Sequence, residues 1–343
     1  MIFALIRRKE LPKPIKVTGI GNAIVDILIE ENDKFLKLNK IRKGVMQLIN
    51  LERASKLQSS TKFSKRVAGG SAANTIVGLA SLGLRTAYIG KVSDDELGNF
   101  FKEDLKKQKV IYETKFFSEI TDNVHTGRCI VLVTPDAERS MNTYLGATEF
   151  LMVADIDAEI ISRSEWIYLE GYRFDGHESK AAFLKAINIA KETKSKIALT
   201  LSDPFCVERH AKNFRQLVYK YTDLLFCNET ELKILYGTDE LGVALVKGSK
   251  EVNTIACTLA EKGAIICNEG QQIRVPACSV NTIDTTGAGD LFAAGFLHGI
   301  IKGYNLESCA KMGNLAASEI ISSFGARPKK NLLTLFQESF GKF

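Results

Sequence analysis

Asp284-Thr285-Thr286-Gly287-Ala288-Gly289-Asp290 runs without a break into the apolar stretch Leu291-Phe292-Ala293-Ala294-Gly295-Phe296. A Gly-Ala-Gly step lets the backbone approach a ligand closely, and the helix that follows begins with unpaired N–H groups. Backbone amides and the positive end of a helix dipole together make an anion hole suited to phosphate oxygens. The stretch Gly287, Ala288, Gly289 is therefore the candidate phosphate cradle. Asp290 has two open roles: a helix N-cap that satisfies one amide, or a general base that takes a proton from a hydroxyl attacking the phosphate beside it. The Gly-Ala-Gly frame favours the base.

Outward from this stretch, short apolar runs alternate with helical segments. Strands are predicted at Lys16–Ile20, Thr86–Ile89, Cys129–Val133, Trp166–Leu169, Ile197–Leu201, Leu224–Cys227, Ile255–Thr258 and Ala264–Cys267. Helices are predicted at Ala72–Leu82, Leu97–Gln108, Lys180–Thr193, Glu229–Tyr236 and Asp290–Lys302. Strands separated by helices of this length imply an α/β fold with a mostly parallel sheet and helices on both faces. Residues 22–50 and 111–147 break the rhythm, being strand-rich without a long helix. They form either a small extra sheet over one end of the main one or ordinary edge strands. Residues 1–14, with two of the six prolines, read as a loose tail, residues 331–343 as a second tail, and 15–330 as one domain.

The formal net charge of +6 comes from 46 basic and 40 acidic residues spread along the chain, not from the basic stripe of a nucleic-acid-binding surface. The seven cysteines are scattered and none forms a C-x-x-C pair, so neither a disulfide framework nor a zinc site is expected. No run approaches the ~20 apolar residues of a membrane span. A cytoplasmic protein is the expectation, with neither nucleic acid nor membrane as partner.

Other motifs carry chemistry of their own. Gly19-x-Gly21 hints at a dinucleotide fingerprint, but Ile24 stands where the third glycine belongs. Asp26, at a strand end, can accept hydrogen bonds from vicinal hydroxyls or simply face solvent. Gly69-Gly70 permits close backbone approach, and Asn74 offers a donor and an acceptor. Asn228 and Glu231 lie three apart, as a capping box or as oxygen ligands that position magnesium. Arg139 is either a phosphate clamp or an exposed arginine. No P-loop or G-x-S-x-G elbow is present, and His125, His177, His210 and His298 lack metal-site spacing.

The pattern D-T-x-G-A-G-D followed by such a helix resembles the signature of the PfkB, or ribokinase-like, carbohydrate kinases. Gly69-Gly70-Ser71-Ala72-Ala73-Asn74 resembles that family's first signature, Gly19 to Asp26 its first strand, and Asn228-Glu229-Thr230-Glu231 its N-x-x-E motif. The resemblance spans roughly residues 15–328. It implies a ribokinase-like fold whose two strand-rich stretches make a small β-sheet lid, with Asp290 as catalytic base. It further implies Asn22, Asp26, Gly70 and Asn74 on the sugar, Arg139 on phosphate, and Asn228 and Glu231 setting Mg2+ through water. Thr258, Gly263 and Asn314 would lie on the ATP side, although Ala260-Glu261-Lys262 departs from the family's glycine-containing loop. Within the family, Glu138–Ala147 and Tyr168–Tyr172 most resemble bacterial adenosine kinase-type members, with Met46 and Tyr144 as candidates for the purine. ATP and Mg2+ are the implied cofactors. A monovalent cation, and a monomer or homodimer, are left open. A free-sugar kinase for ribose or fructose, and a nucleoside- or sugar-binding protein without turnover, are the alternatives.

Overall fold

A computed structural model describes residues 14–61, 65–118, 124–136, 138–175 and 178–341. Its strands are, in chain order, β1 (Ile15–Ile20), β2 (Ile24–Glu30), β3 (Met46–Leu48), β4 (Lys65–Gly69), β5 (Thr86–Ile89), β6 (Gly127–Val133) and β7 (Arg139–Tyr144). The second half supplies β8 (Ser164–Glu170), β9 (Lys196–Thr200), β10 (Leu224–Asn228), β11 (Thr254–Thr258), β12 (Ala264–Asn268) and β13 (Gln271–Val275).

Eight of these form one sheet in the order β13-β12-β11-β10-β9-β8-β1-β5. Pairing is parallel from β5 to β11, and antiparallel from β11 to β12 and from β12 to β13. The central strands read as continuous apolar runs because both faces are covered. Val17, Tyr168, Ala198 and Phe226 face the helices Ser71–Ser81, Ala288–Ile301 and Leu306–Ile321. Their neighbours Ile167, Leu169, Leu199 and Leu225 face the helices Ser179–Glu192 and Pro204–Tyr221.

The other five strands form a second sheet, β3-β7-β6-β2-β4, so the two strand-rich stretches are not edges of the main one. Alternation gives this small sheet two faces. Ile27, Ile29, Ile130 and Leu132 pack on Leu36 and Leu57 of the short helices Asp33–Leu38 and Leu51–Ser59. The opposite face turns toward the strand ends of the main sheet.

Three boundaries differ from the sequence reading. Strand β4 belongs to the small sheet although it lies beyond residue 50; its Arg66, Val67 and Ala68 register with Ile27, Asp26 and Val25. Among the described residues of 111–126, only isolated bridges form, from Ile111 to Ala87 and from Phe117 to Ser93, so the second lid stretch begins at Gly127. The segment after residue 330 is not a tail throughout. An asparagine cap starts a helix there, Asn331 Oδ1 accepting from Thr334 N at 3.1 Å, and the helix runs over Leu332–Phe340 with Leu332 and Phe336 buried. Two apolar side chains spaced by four residues anchor it. Residues 1–13 and His177 lie outside the described residues.

Candidate active site

In an open parallel sheet, ligands bind beyond the carboxyl ends of the strands. There, between the main sheet and the small one, lies a cavity of about 620 Å³. Glu170 ends β8, Asn228 ends β10 and Thr258 ends β11, and all three line it. The small sheet contributes Ile24, Asp26, Met46, Leu48, Cys129, Met141 and Thr143 from its inner face.

Asp290 is not a helix cap. Gly287 is the N-cap of the helix Ala288–Ile301, in the left-handed region at φ 77°, with no side-chain cap. A Cβ there would come within 2.9 Å of Ala326, so a glycine suits both the torsion and the contact. The Ala288 amide donates to Thr285 O at 3.2 Å, which leaves the Gly289 and Asp290 amides as first-turn donors without a protein acceptor among the described residues. Gly289 has open space where a side chain would begin. The Asp290 carboxylate accepts from Ser71 Oγ at 2.7 Å and Asn74 Nδ2 at 2.9 Å. Burial pushes its pKa up to about 6, against the pull of those two donors and of Arg327.

Asp26 is set differently. No protein hydrogen-bond donor meets its carboxylate among the described residues, and it lines the cavity directly. Burial raises its pKa to about 7, opposed by the Arg327 and Arg139 charges and reinforced by Asp290. Asn22 is already held: its Oδ1 accepts from Thr148 Oγ1 at 3.3 Å and Arg173 at 3.1 Å, so only its Nδ2 remains for a ligand. Gly70, at φ 91°, presses on Asn22 O, where a Cβ would stand 2.1 Å away. Asn74 gives its donor to Asp290, while its Oδ1 is buried with no partner among the described residues.

Arg139 is buried rather than exposed. Its guanidinium pairs with Asp284, reaches Thr286 Oγ1 and lies 5.7 Å from the Phe324 ring centroid. The small sheet is thereby tied to the Asp284–Asp290 loop. Asp284 also accepts from Thr286 N at 2.8 Å and Gly325 N at 2.7 Å.

Asn228 and Glu231 form the capping box. Glu231 N donates to Asn228 Oδ1 at 2.8 Å, and Asn228 N donates to Glu231 Oε2 at 2.9 Å. Both also line the cavity, and burial raises the Glu231 pKa to about 7. Among the described residues no group of three His, Cys, Asp or Glu is placed to hold a metal directly. One buried carboxylate beside an amide oxygen fits Mg2+ held through water, since that ion keeps several waters.

Thr258 lines the cavity, whereas Gly263 and Asn314 do not. Gly263, at φ 91°, packs against the backbone of Val275–Ala277, and Asn314 Nδ2 donates to Val275 O and Pro276 O. Both fix the exit of β13. Met46 reaches the cavity; Tyr144 is off the inner face of β7, beside Arg128.

Sequence reasoning missed Glu170 as a site residue. It is fully buried, its Oε1 accepts from Asn22 N at 3.2 Å and its Oε2 from Ala72 N at 2.8 Å, and burial raises its pKa to about 7. A charged residue ending the apolar run Trp166–Leu169 was the available signal, because strand ends are where α/β ligands bind. Arg173, equally buried, carried no such signal.

No helix among the described residues is long and apolar enough to cross a membrane. An uncapped, glycine-led helix start beside a carboxylate is the arrangement expected of a phosphotransferase, and comparison with known proteins agrees. The structure is similar to that of adenosine kinase from Sinorhizobium meliloti (TM-score 0.90, 42% identity, covering 95% of this chain and 99% of that one). It is equally similar to a probable sugar kinase from Rhizobium etli CFN 42 (TM-score 0.90, 40% identity, covering 95% and 99%). The sequence is 27% identical over 301 residues to 5-dehydro-2-deoxygluconokinase from Halalkalibacterium halodurans, covering 84% of this chain and 90% of that one. Residues 45–331 match the pfkB family carbohydrate kinases. With that match across most of its length, the chain belongs to the pfkB family as an ATP-dependent sugar or nucleoside kinase of ribokinase-like fold, a phosphotransferase with an alcohol acceptor.

Proposed function

We propose that the chain transfers the γ-phosphoryl group of ATP to the 5′-hydroxyl of adenosine, giving AMP and ADP. The observation that carries this reading is the composition of the cavity wall. Across the cavity from Asp290, and on the same face as Asp26, the small sheet presents Ile24, Met46, Leu48 and Met141, an apolar surface suited to a purine ring. A free sugar has hydroxyls all round and would leave several of them unpaired against such a wall. The similarity to a bacterial adenosine kinase points the same way.

In this reading Asp26 accepts from the ribose hydroxyls, with the Asn22 Nδ2 donor and the Asn74 Oδ1 acceptor beside it. Asp290, held by Ser71 and Asn74, takes the proton of the attacking hydroxyl. The Gly289 and Asp290 amides face the transferred group, and Arg139 adds its charge from the small sheet. Mg2+, set through water by Asn228 and Glu231, would offset the phosphate charge. Thr258 stands on the ATP side.

The test is ATP turnover with a panel of adenosine, ribose and fructose. Adenosine should give the highest kcat/KM by at least about tenfold. A preference for ribose or fructose would replace the proposal with the free-sugar kinase, and tight binding without ADP release would replace it with a binding protein.

A further inference from the structure

The loop after the helix Leu306–Ile321 touches a different part of the site with each of four consecutive residues. Phe324 lies beside the Arg139 guanidinium, the Gly325 amide donates to Asp284, and Ala326 packs against Gly287. Arg327 reaches further. Its side chain is largely buried, with one guanidinium nitrogen 3.2 Å from Ala73 O and another 3.3 Å from Asp104 Oδ2. Ala73 lies in the first turn of the helix Ser71–Ser81, whose Ser71 and Asn74 hold the Asp290 carboxylate.

We propose that Arg327 is a positioning residue for phosphoryl transfer: it fixes the helix turn that holds Asp290 and supplies the positive charge behind Asp290 and Asp26. The proposal rests on the reading of Asp290 as base. Around that carboxylate the other charges and titratable groups are mostly unfavourable to a second negative charge. Asp26 on β2, Glu170 and Tyr168 on β8, and Tyr172 just beyond all respond to or act against it. Of the other cations, Arg139 is paired with Asp284 and acts on Asp26, and Arg173 acts on Glu170, while Arg327 is itself paired with Asp104. Arg327 is the cation that opposes burial at both Asp290 and Asp26. A base must be ionised to accept a proton, so a cation behind it extends activity to lower pH. Arg327 does not touch the reacting atoms. It acts through the helix and through its field.

The test compares the pH dependence of kcat, at saturating ATP and adenosine, for the wild type, Arg327→Met and Arg327→Lys, with Asp290→Asn as control. Removing the charge should raise the acid limb by about one pH unit, which lowers kcat roughly twofold at pH 7 and close to tenfold near pH 5. At pH 9 most of the deficit should close, and Arg327→Lys should return the limb to within about half a unit of the wild type. A folded Arg327→Met protein whose limb does not move, whatever its kcat, overturns the proposal. If that variant does not fold, Arg327→Gln, which keeps a donor for Ala73 O, takes its place. If neither neutral variant folds, Arg327→Lys decides alone, a limb raised by a full unit despite the retained charge overturning the idea. Near-normal kcat in Asp290→Asn would instead remove the base, a failure of the parent reading and visible as such.

Discussion

Two helices begin at the same cavity and begin differently. At Asn228 the first turn carries a reciprocal capping box, the Glu231 amide matched by Asn228 Oδ1 and the Asn228 amide by Glu231 Oε2. At Gly287 it is left open, with no side chain over the amides and the nearby Asp290 carboxylate held by another helix. The contrast separates what the fold needs from what the ligand supplies. A box stabilises its helix by itself, whereas an uncapped start in a cavity leaves donors for an incoming anion to complete.

The open end should be the more sensitive to chemistry. Asp290→Asn is expected to lower kcat by about 10²- to 10⁴-fold while ATP and nucleoside binding persist, as general-base loss does. Steady-state kinetics with ligand titration checks it, and near-normal turnover would reduce the open end to a feature of packing.

Sharing that end is Gly289, where a methyl group meets nothing in the protein. Gly289→Ala should therefore keep or slightly raise the melting temperature, since alanine is the better helix former. The same methyl group would stand where a phosphate approaches, so KM for ATP or kcat should worsen by about tenfold or more. Equal kinetics in a folded variant would show that no ligand comes close there.

The boxed end should show the reverse balance. Asn228→Ala is expected to cost about 1 kcal/mol of stability, read from denaturant unfolding. Glu231→Gln should move the Mg2+ requirement to higher concentration without changing which acceptor is used. An unchanged Mg2+ titration would leave Glu231 as a capping residue alone.

The open end was legible in the sequence and the boxed end only in part. Gly287-Ala288-Gly289-Asp290 is contiguous, so its helix start and its carboxylate could be read together. The spacing of Asn228 and Glu231 fitted either a box or a metal site, and the structure realises the box while keeping both residues on the cavity wall. The main sheet was readable because parallel strands covered on both faces are continuous apolar runs. Less readable was the small sheet, whose strand β4 is short and half-polar, and the C-terminal helix, whose few buried side chains give little periodic signal. The contacts that organise the site are long-range. Arg139 with Asp284, Glu170 with Ala72 and Arg327 with Ala73 join residues 98 to 254 positions apart, and no local pattern announces them.

One group at the cavity is held by neither helix. Asp26 accepts from no protein donor among the described residues, so its burial is offset only in part, by the Arg327 and Arg139 charges, and its pKa stands near 7 against an ordinary value of 3.8. A carboxyl whose folded pKa is raised binds its proton more tightly in the native state. It therefore contributes stability that is full below about pH 4 and is lost as pH rises through about 7. Asp26→Asn removes the charge without removing a protein hydrogen bond. Below about pH 4, where the carboxyl is protonated in both the folded and the unfolded chain, the two proteins should melt together. At pH 8 the variant should melt higher, by about 2 °C or more for a chain of this size. Adenosine should narrow the gap, because ribose hydroxyls would supply the missing donors to the wild-type carboxylate, and KM for the nucleoside should rise in the variant. A gap of the same size at both pH values would assign the effect to packing. A variant that melts lower at pH 8 would show that Arg139 and Arg327 already compensate the charge, and Asp26 would then belong with the boxed end of the site, held by the protein, and not with the open one.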